Sequence, residues 1–171
     1  MIQAWHEEPI RRAHPRAAFD CGEPDLNDFL RRHARQSHDA GGAKTFLAID
    51  DADDAILGFY SLAPASLEFS RAPTVVQRGL AHHDVPVFRL ARLAVSERLH
   101  DQGLGGQLLL AAGRRCLRVA EEVGGVALII DAKSERAARW YAGYGAIPLD
   151  DRPMTLAIPL VTLAAALRAS T

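Results

Sequence analysis

The residues best suited to chemistry sit together in the stretch His100 to Gly106, HDQGLGG. Gly103, Gly105 and Gly106 remove side chains where a helix is expected to begin, so the unpaired amides of its first turn can approach an anion closely. The helix dipole adds favourable potential at the same end. A diphosphate suits such a terminus. No Gly-Lys-Ser or Gly-Lys-Thr is present, which argues against a triphosphate loop, and the glycine spacing and late chain position fit a dinucleotide fold poorly. Coenzyme A remains. The competing reading is an ordinary tight turn before a helix, since glycine serves any such turn. Arg89, Arg92, Arg98, Arg114, Arg115 and Arg118 gather around this element. Their guanidinium forks suit phosphate, or else they simply solvate a helix surface. His82-His83-Asp84 lacks a third well-spaced ligand, so no metal is expected there. Cys21 and Cys116 are too few for a disulfide framework.

The elements that must position the loop are visible as periodicities. Arg89 to Val95 alternates as a strand does, while Leu104, Leu108, Ala112, Leu117 and Ala120 recur on one helix face, giving strand, glycine loop, helix. Upstream, Ile2 to Ile10 reads as a weak opening strand. Leu26, Phe29, Leu30 and Ala34 line one side of a helix that has Pro24 in its first turn and stops at Gly41-Gly42. Its other side carries Arg31, Arg32, Arg35 and His38. Thr45 to Ile49 and Ala55 to Leu62 flank the turn DDADD as a hairpin. Pro64 and Pro73 interrupt the next stretch, so Ala65 to Phe69 is expected as a separate strand after a bend and Thr74 to Leu80 as a short helix or loop. Downstream, Val126 to Asp131 is a short buried strand, and Ser134 caps a helix containing Ala137, Ala138, Trp140 and Tyr141. Pro153 to Leu160 forms the last strand, before an alanine-rich tail to which no structure is assigned.

At 171 residues, with 49% hydrophobic and 24% charged residues and no apolar run of membrane-spanning length, the composition is that of one soluble globular domain over residues 1–171. The opening MIQAWHEEPIRR lacks the apolar core of a secretory signal, so a cytoplasmic location is expected. A formal net charge of −1 argues against a surface coated in positive charge, although a local basic face remains compatible with it.

HDQGLG resembles the acetyl-CoA loop of the GNAT acetyltransferases, Gln/Arg-x-x-Gly-x-Gly/Ala, with His100 in place of the usual first residue. FDCGEPDLNDFLRRHARQ, ILGFYSLAPASLEF, PVFRLARLAV, ARWYAGYGAIPL and MTLAIPL resemble the TacT/AtaT-type branch, toxins of type II toxin–antitoxin pairs. The resemblance implies an α/β (α+β) GNAT fold, a central mixed and mostly antiparallel sheet flanked by helices. It implies an acetyl-CoA-dependent N-acetyltransferase, with no metal, that acetylates the α-amine of aminoacyl-tRNA. A homodimer and a ribbon-helix-helix antitoxin are the expected partners, and no membrane. Tyr141, in WYAGYG, falls at the family's general-acid position. Leu93, Ala94 and Val95 would pair with the pantetheine arm along a splayed strand edge. His100, Gln102, Gly103, Leu104, Gly105 and Gly106 would hold the diphosphate, and Ser134 would add a coenzyme contact. Arg31, Arg32, Arg35, Arg89 and Arg92 are the candidates for tRNA phosphates. Glu68, His83 and Asp131 are conceivable bases, and none is assigned. The family's Gly-Phe is Gly145-Ala146 here. Two further readings stay open: a GNAT enzyme acting on a small-molecule or protein amine, and a non-catalytic acyl-CoA- or partner-binding module.

Overall fold

The computed structural model describes residues 2–170. In chain order the elements are β1 (Trp5–Pro9), α1 (Pro24–Asp28), a π-helical turn (Phe29–His33), α2 (Ala34–Asp39), β2 (Lys44–Asp50), β3 (Ile56–Leu67), α3 (Thr74–Gln77), β4 (Val85–Val95), α4 (Leu104–Val123), β5 (Ala127–Asp131), α5 (Glu135–Ala142), β6 (Ile147–Pro148), β7 (Thr155–Pro159) and α6 (Leu160–Ala169). The described strands form a seven-stranded, mostly antiparallel sheet in which β4 and β5 are parallel. Two compact units are distinguished, Met1–Ala63 with Ala91–Leu109, and Pro64–Leu90 with Leu110–Thr171.

In the first unit β1, β2 and β3 lie side by side. Phe46 to Ile49 and Ile56 to Leu62 are buried without alternation, as strands covered on both faces require. Leu26, Leu30 and Ala34 pack from the helical segment onto Leu47, Ile49 and Phe59. Phe19 meets the Phe59 ring edge-on at 5.7 Å. Burying a leucine contributes about 1.5–3 kcal/mol. The exposed pairs on the outer side, Arg32–Asp28 and Arg35–Asp39, contribute about 0.3–0.5 kcal/mol each. The apolar face therefore decides where this helix lies.

In the second unit β5 pairs with β7, and β7 with β6. Leu67, Val76, Val85, Val87, Ile129 and Leu149 share its core. Two expectations need correction here. β3 runs through Pro64 to Leu67 without a break, because the ring is exposed and proline costs an extended strand only a donor. The alanine-rich tail is α6, seated by the buried Leu160 and Leu163. Leu163 lies over Gly113 of α4, where an added Cβ would come 3.0 Å from its Cδ2. β6 is too short to leave a periodic trace in the sequence. Among the described residues no helix is long and apolar enough to cross a membrane.

On β1, His6 bonds Asp51 through Nδ1 and Glu8 through Nε2, both at 2.6 Å. Glu8 is also bonded by Arg11 at 2.6 Å and His14 at 3.1 Å. Hydrogen bonds from His6 and His14 hold the Glu8 carboxyl down at about 2, and those to Asp51 and Glu8 raise His6 above 6.5. A raised histidine stabilises fully below its unfolded value and loses that contribution as pH climbs through the folded one. The lowered Glu8 does the reverse, losing its contribution as pH falls toward its folded value. The gap in urea midpoint between wild type and His6→Asn is thus expected to be widest near about pH 6 and to narrow as pH rises through the raised His6 value.

Candidate active site

β4 pairs with β5 only through Phe88, Arg89 and Leu90, yet it continues from Ala91 to Val95. A Cβ on Gly58 would lie 2.7 Å from the Ala94 carbonyl, and the Ser96 amide donates to the Leu57 carbonyl at 2.8 Å. Ala94 and Ser96 therefore face β3. Main-chain groups alternate along a strand, so those of Leu93 and Val95 face the opposite edge. Any side chain at residue 58 would push β3 off this register, which is the reason for glycine there. The Val95 carbonyl already accepts a hydrogen bond from His100 Nε2 at 2.9 Å.

Beyond β4 the chain turns through Asp101, at φ 64, and Gly103, at φ +90, before α4 starts at Leu104. The Gln107 amide donates to the Gly103 carbonyl at 3.2 Å. Ahead of it, the amides of Leu104, Gly105 and Gly106 precede the helix's own bonding pattern, as first-turn amides must. An added Cβ on Gly103 would meet nothing within 4 Å, so the space before this terminus is open. Leu104 and Leu108 are completely buried and anchor the turn from beneath. Trp5 Nε1 donates to Gln107 Oε1 at 2.7 Å, fixing the first turn to β1. Gln102 is exposed and donates to the Arg98 carbonyl at 3.2 Å.

In the second unit Ser134 caps α5, its hydroxyl accepting from the Ala137 amide at 3.1 Å. Tyr141 is half-buried, and desolvation pushes its phenol up to about 12, so it remains a proton donor at every physiological pH. Its hydroxyl has no hydrogen-bond partner among the described residues. Its carbonyl takes the amides of Tyr144 at 2.9 Å and Ala146 at 3.3 Å, holding the turn. Gly145, at φ +94, passes so close to α6 that an added Cβ would lie 2.5 Å from Thr162 Cγ2. Ala146, where the resembling family has phenylalanine, is buried.

The five arginines expected on tRNA are all engaged within the protein. Arg31 donates to the Phe19 carbonyl at 2.6 Å, Arg32 pairs with Asp28 at 3.0 Å, and Arg35 with Asp39 at 3.0 Å. Arg89 pairs with Asp131, and Arg92 lies 4.2 Å over the Phe29 ring while donating to the Ala91 carbonyl. Asp131 accepts from Arg89 on one oxygen and from Thr155 on the other, which leaves it poorly placed to take a proton. Glu68 and His83 are exposed. Sequence reasoning passed over Arg136 and Arg139 on α5, exposed beside Trp140. Their spacing of three and four residues was the available signal.

Replacing Gly103 with alanine would place a Cβ in the left-handed region, at a cost of about 1–2 kcal/mol. A loss of that size is expected in urea denaturation, although the position itself is open to solvent.

No family model matches the chain. It is 36% identical over 127 residues to the tRNA-acetylating toxin of Mycobacterium tuberculosis, which covers 74% of this chain and 75% of that one. A relative from Sinorhizobium fredii bearing the name TacT is 25% identical over 158 residues, 88% of this chain and 87% of its own. Among solved structures, a tyrosine-to-phenylalanine mutant of KacT superimposes with a TM-score of 0.88 at 27% identity, covering 96% of this chain and 99% of that one. AtaT complexed with acetyl-methionyl-tRNAfMet gives 0.88 at 25% identity, with 96% and 99% covered. AtaTR bound with acetyl-CoA gives 0.81 at 26% identity, with 95% and 98% covered. Sequence identity at this level across three quarters of both chains, on a shared fold, means that the protein belongs to the tRNA-acetylating toxins, the TacT/AtaT-type branch of the GNAT acetyltransferases.

Proposed function

We propose that the protein transfers the acetyl group of acetyl-CoA to the α-amine of aminoacyl-tRNA, blocking translation, as the cytoplasmic toxin of a type II toxin–antitoxin pair. It acts as one catalytic domain over residues 1–171, forms a homodimer, and is held inactive by a ribbon-helix-helix antitoxin. The observation that carries this reading is the 36% identity to a tRNA-acetylating toxin. Acetyl-methionyl-tRNAfMet in complex with AtaT, and acetyl-CoA bound to AtaTR, support the same acceptor and donor.

The first-turn amides of Leu104, Gly105 and Gly106 take the coenzyme's diphosphate, with His100, Gln102 and Gly103 shaping the approach. The outward main-chain groups of Leu93 and Val95 pair with the pantetheine arm, and Ala94 holds the strand to β3. The Val95 carbonyl must exchange its bond from His100 for one from the coenzyme. Ser134 positions α5. The neutral amine attacks the thioester carbonyl carbon and the carbon–sulfur bond breaks. Tyr141 donates its proton to the departing sulfur, the amine loses a proton to water, and solvent restores the phenol. Tyr141 is suited to this because it is unpartnered and held protonated. KacT, which shares this fold, was crystallised as a tyrosine-to-phenylalanine mutant.

Labelled acetyl is expected to pass to bulk aminoacylated tRNA and not to uncharged tRNA. In Tyr141→Phe the kcat should fall by about 100-fold or more while acetyl-CoA affinity is retained. Transfer to neither RNA, with acetyl-CoA still bound, would overturn the reading. Because burial raises the phenol to about 12, the pH profile of kcat/KM is expected to rise as the amine deprotonates and to show no fall from Tyr141 below about pH 10. A descending limb centred near neutrality that vanishes in Tyr141→Phe would show the phenol titrating there and overturn its being held protonated by burial, whereas full kcat in Tyr141→Phe would remove Tyr141 as the acid.

A further inference from the structure

We propose that the exposed face of α5, formed by Arg136, Arg139 and Trp140 with Tyr144 beside them, docks the single-stranded acceptor end of the tRNA, the guanidiniums on phosphates and the indole against an unstacked base. This rests on the function proposed above and names the surface that serves it.

Residues 136, 139 and 140 are spaced by three and four, so they share one side of the helix. All three are exposed, Trp140 by 38%. The indole is held edge-on between two other rings, 4.9 Å from Tyr141 and 5.0 Å from Tyr144, so it is fixed in place without being covered. Neither guanidinium has an ion pair or hydrogen bond among the described residues. Glu135 stands four residues before Arg139 and makes no pair with it. This separates the two from Arg31, which is bonded to a carbonyl, and from Arg32, Arg35 and Arg89, which pair with carboxylates. Two uncommitted cations flanking an immobilised aromatic ring match a strand of phosphates with accessible base faces. A duplex hides those faces, whereas a single strand offers them. The aminoacyl ester is carried on the single-stranded end of tRNA. The Trp140 and Tyr141 rings lie 4.9 Å apart, so a base held by the indole brings the ester toward the residue that donates the proton.

The test compares two acceptors, bulk aminoacylated tRNA and methionine methyl ester, which has the α-amine ester but no phosphate or base. For the double variant Arg136→Gln, Arg139→Gln, the KM for charged tRNA is expected to rise about tenfold. The slope of log kcat/KM against log salt should flatten by about 1.4, from two single-strand phosphate contacts. Trp140→Ala should raise the same KM by roughly 5- to 150-fold, with Trp140→Phe recovering most of the loss. For the double variant and for Trp140→Ala the loss on charged tRNA should exceed that on the ester by at least about fivefold. Equal losses on both acceptors, or a salt slope unchanged in the double variant, would overturn the proposal. Anisotropy with uncharged tRNA reads the surface apart from acetyl transfer. If the wild type transfers no acetyl to RNA but these variants weaken tRNA binding, the acetylation reading fails and the surface stands. If transfer occurs and the variants bind tRNA as wild type does, the surface fails alone.

Discussion

The organisation of the molecule depends on β4 having one satisfied edge and one open edge. A strand's amides and carbonyls need partners, and along an edge with no neighbouring strand water or a bound molecule must supply them. Here the β3-facing side is drawn in tightly: Gly58 permits an approach that any side chain would forbid, and the Ser96 amide continues the bonding onto Leu57. Leu93 and Val95 then have nowhere to turn but outward. The His100 imidazole on the Val95 carbonyl shows the same demand being met locally, by the residue that departs from the family's usual loop.

The loop after β4 is governed by a second requirement, that a helix start beside the strand's end with its first amides uncovered. Gly103 supplies the left-handed conformation, and Leu104 and Leu108 supply the grip beneath. The two act through different physics. Backbone conformation aims the amides, while apolar burial of about 1.5–3 kcal/mol per leucine keeps the turn from drifting.

Much of this could be read from the chain because it is local. The glycine loop, the α4 face at Leu104, Leu108 and Ala112, and the Ser134 cap all concern residues within a few positions of each other, where spacing dictates geometry. Ion pairing between distant parts of the chain was not readable in that way. Arg89 and Asp131 are 42 residues apart, and Arg71 and Asp151 are 80 apart. For these two guanidiniums the partner carboxylate is set by the tertiary fold and not by the sequence around them. The pairs of Arg32 with Asp28 and of Arg35 with Asp39 span only four residues and were within reach of spacing, whereas Arg136 and Arg139 on α5 were passed over. α6 was missed for another reason. Alanine carries good helix propensity but almost no amphipathic signal, so only Leu160 and Leu163, once packed, reveal the face.

The two outermost strands of the sheet have a consequence for how such a protein can be held by another. β1 carries His6, Glu7, Glu8 and Pro9, with His6 and Glu8 tied into their own ionic network, and β6 is two residues long and ends in Pro148. Short, charged and proline-bearing margins are poor templates for strand addition. A protein that restrains this one by extending its sheet would find almost no ladder to continue. Helices and loops, where side chains rather than backbone set the fit, are the better surfaces for a protein contact.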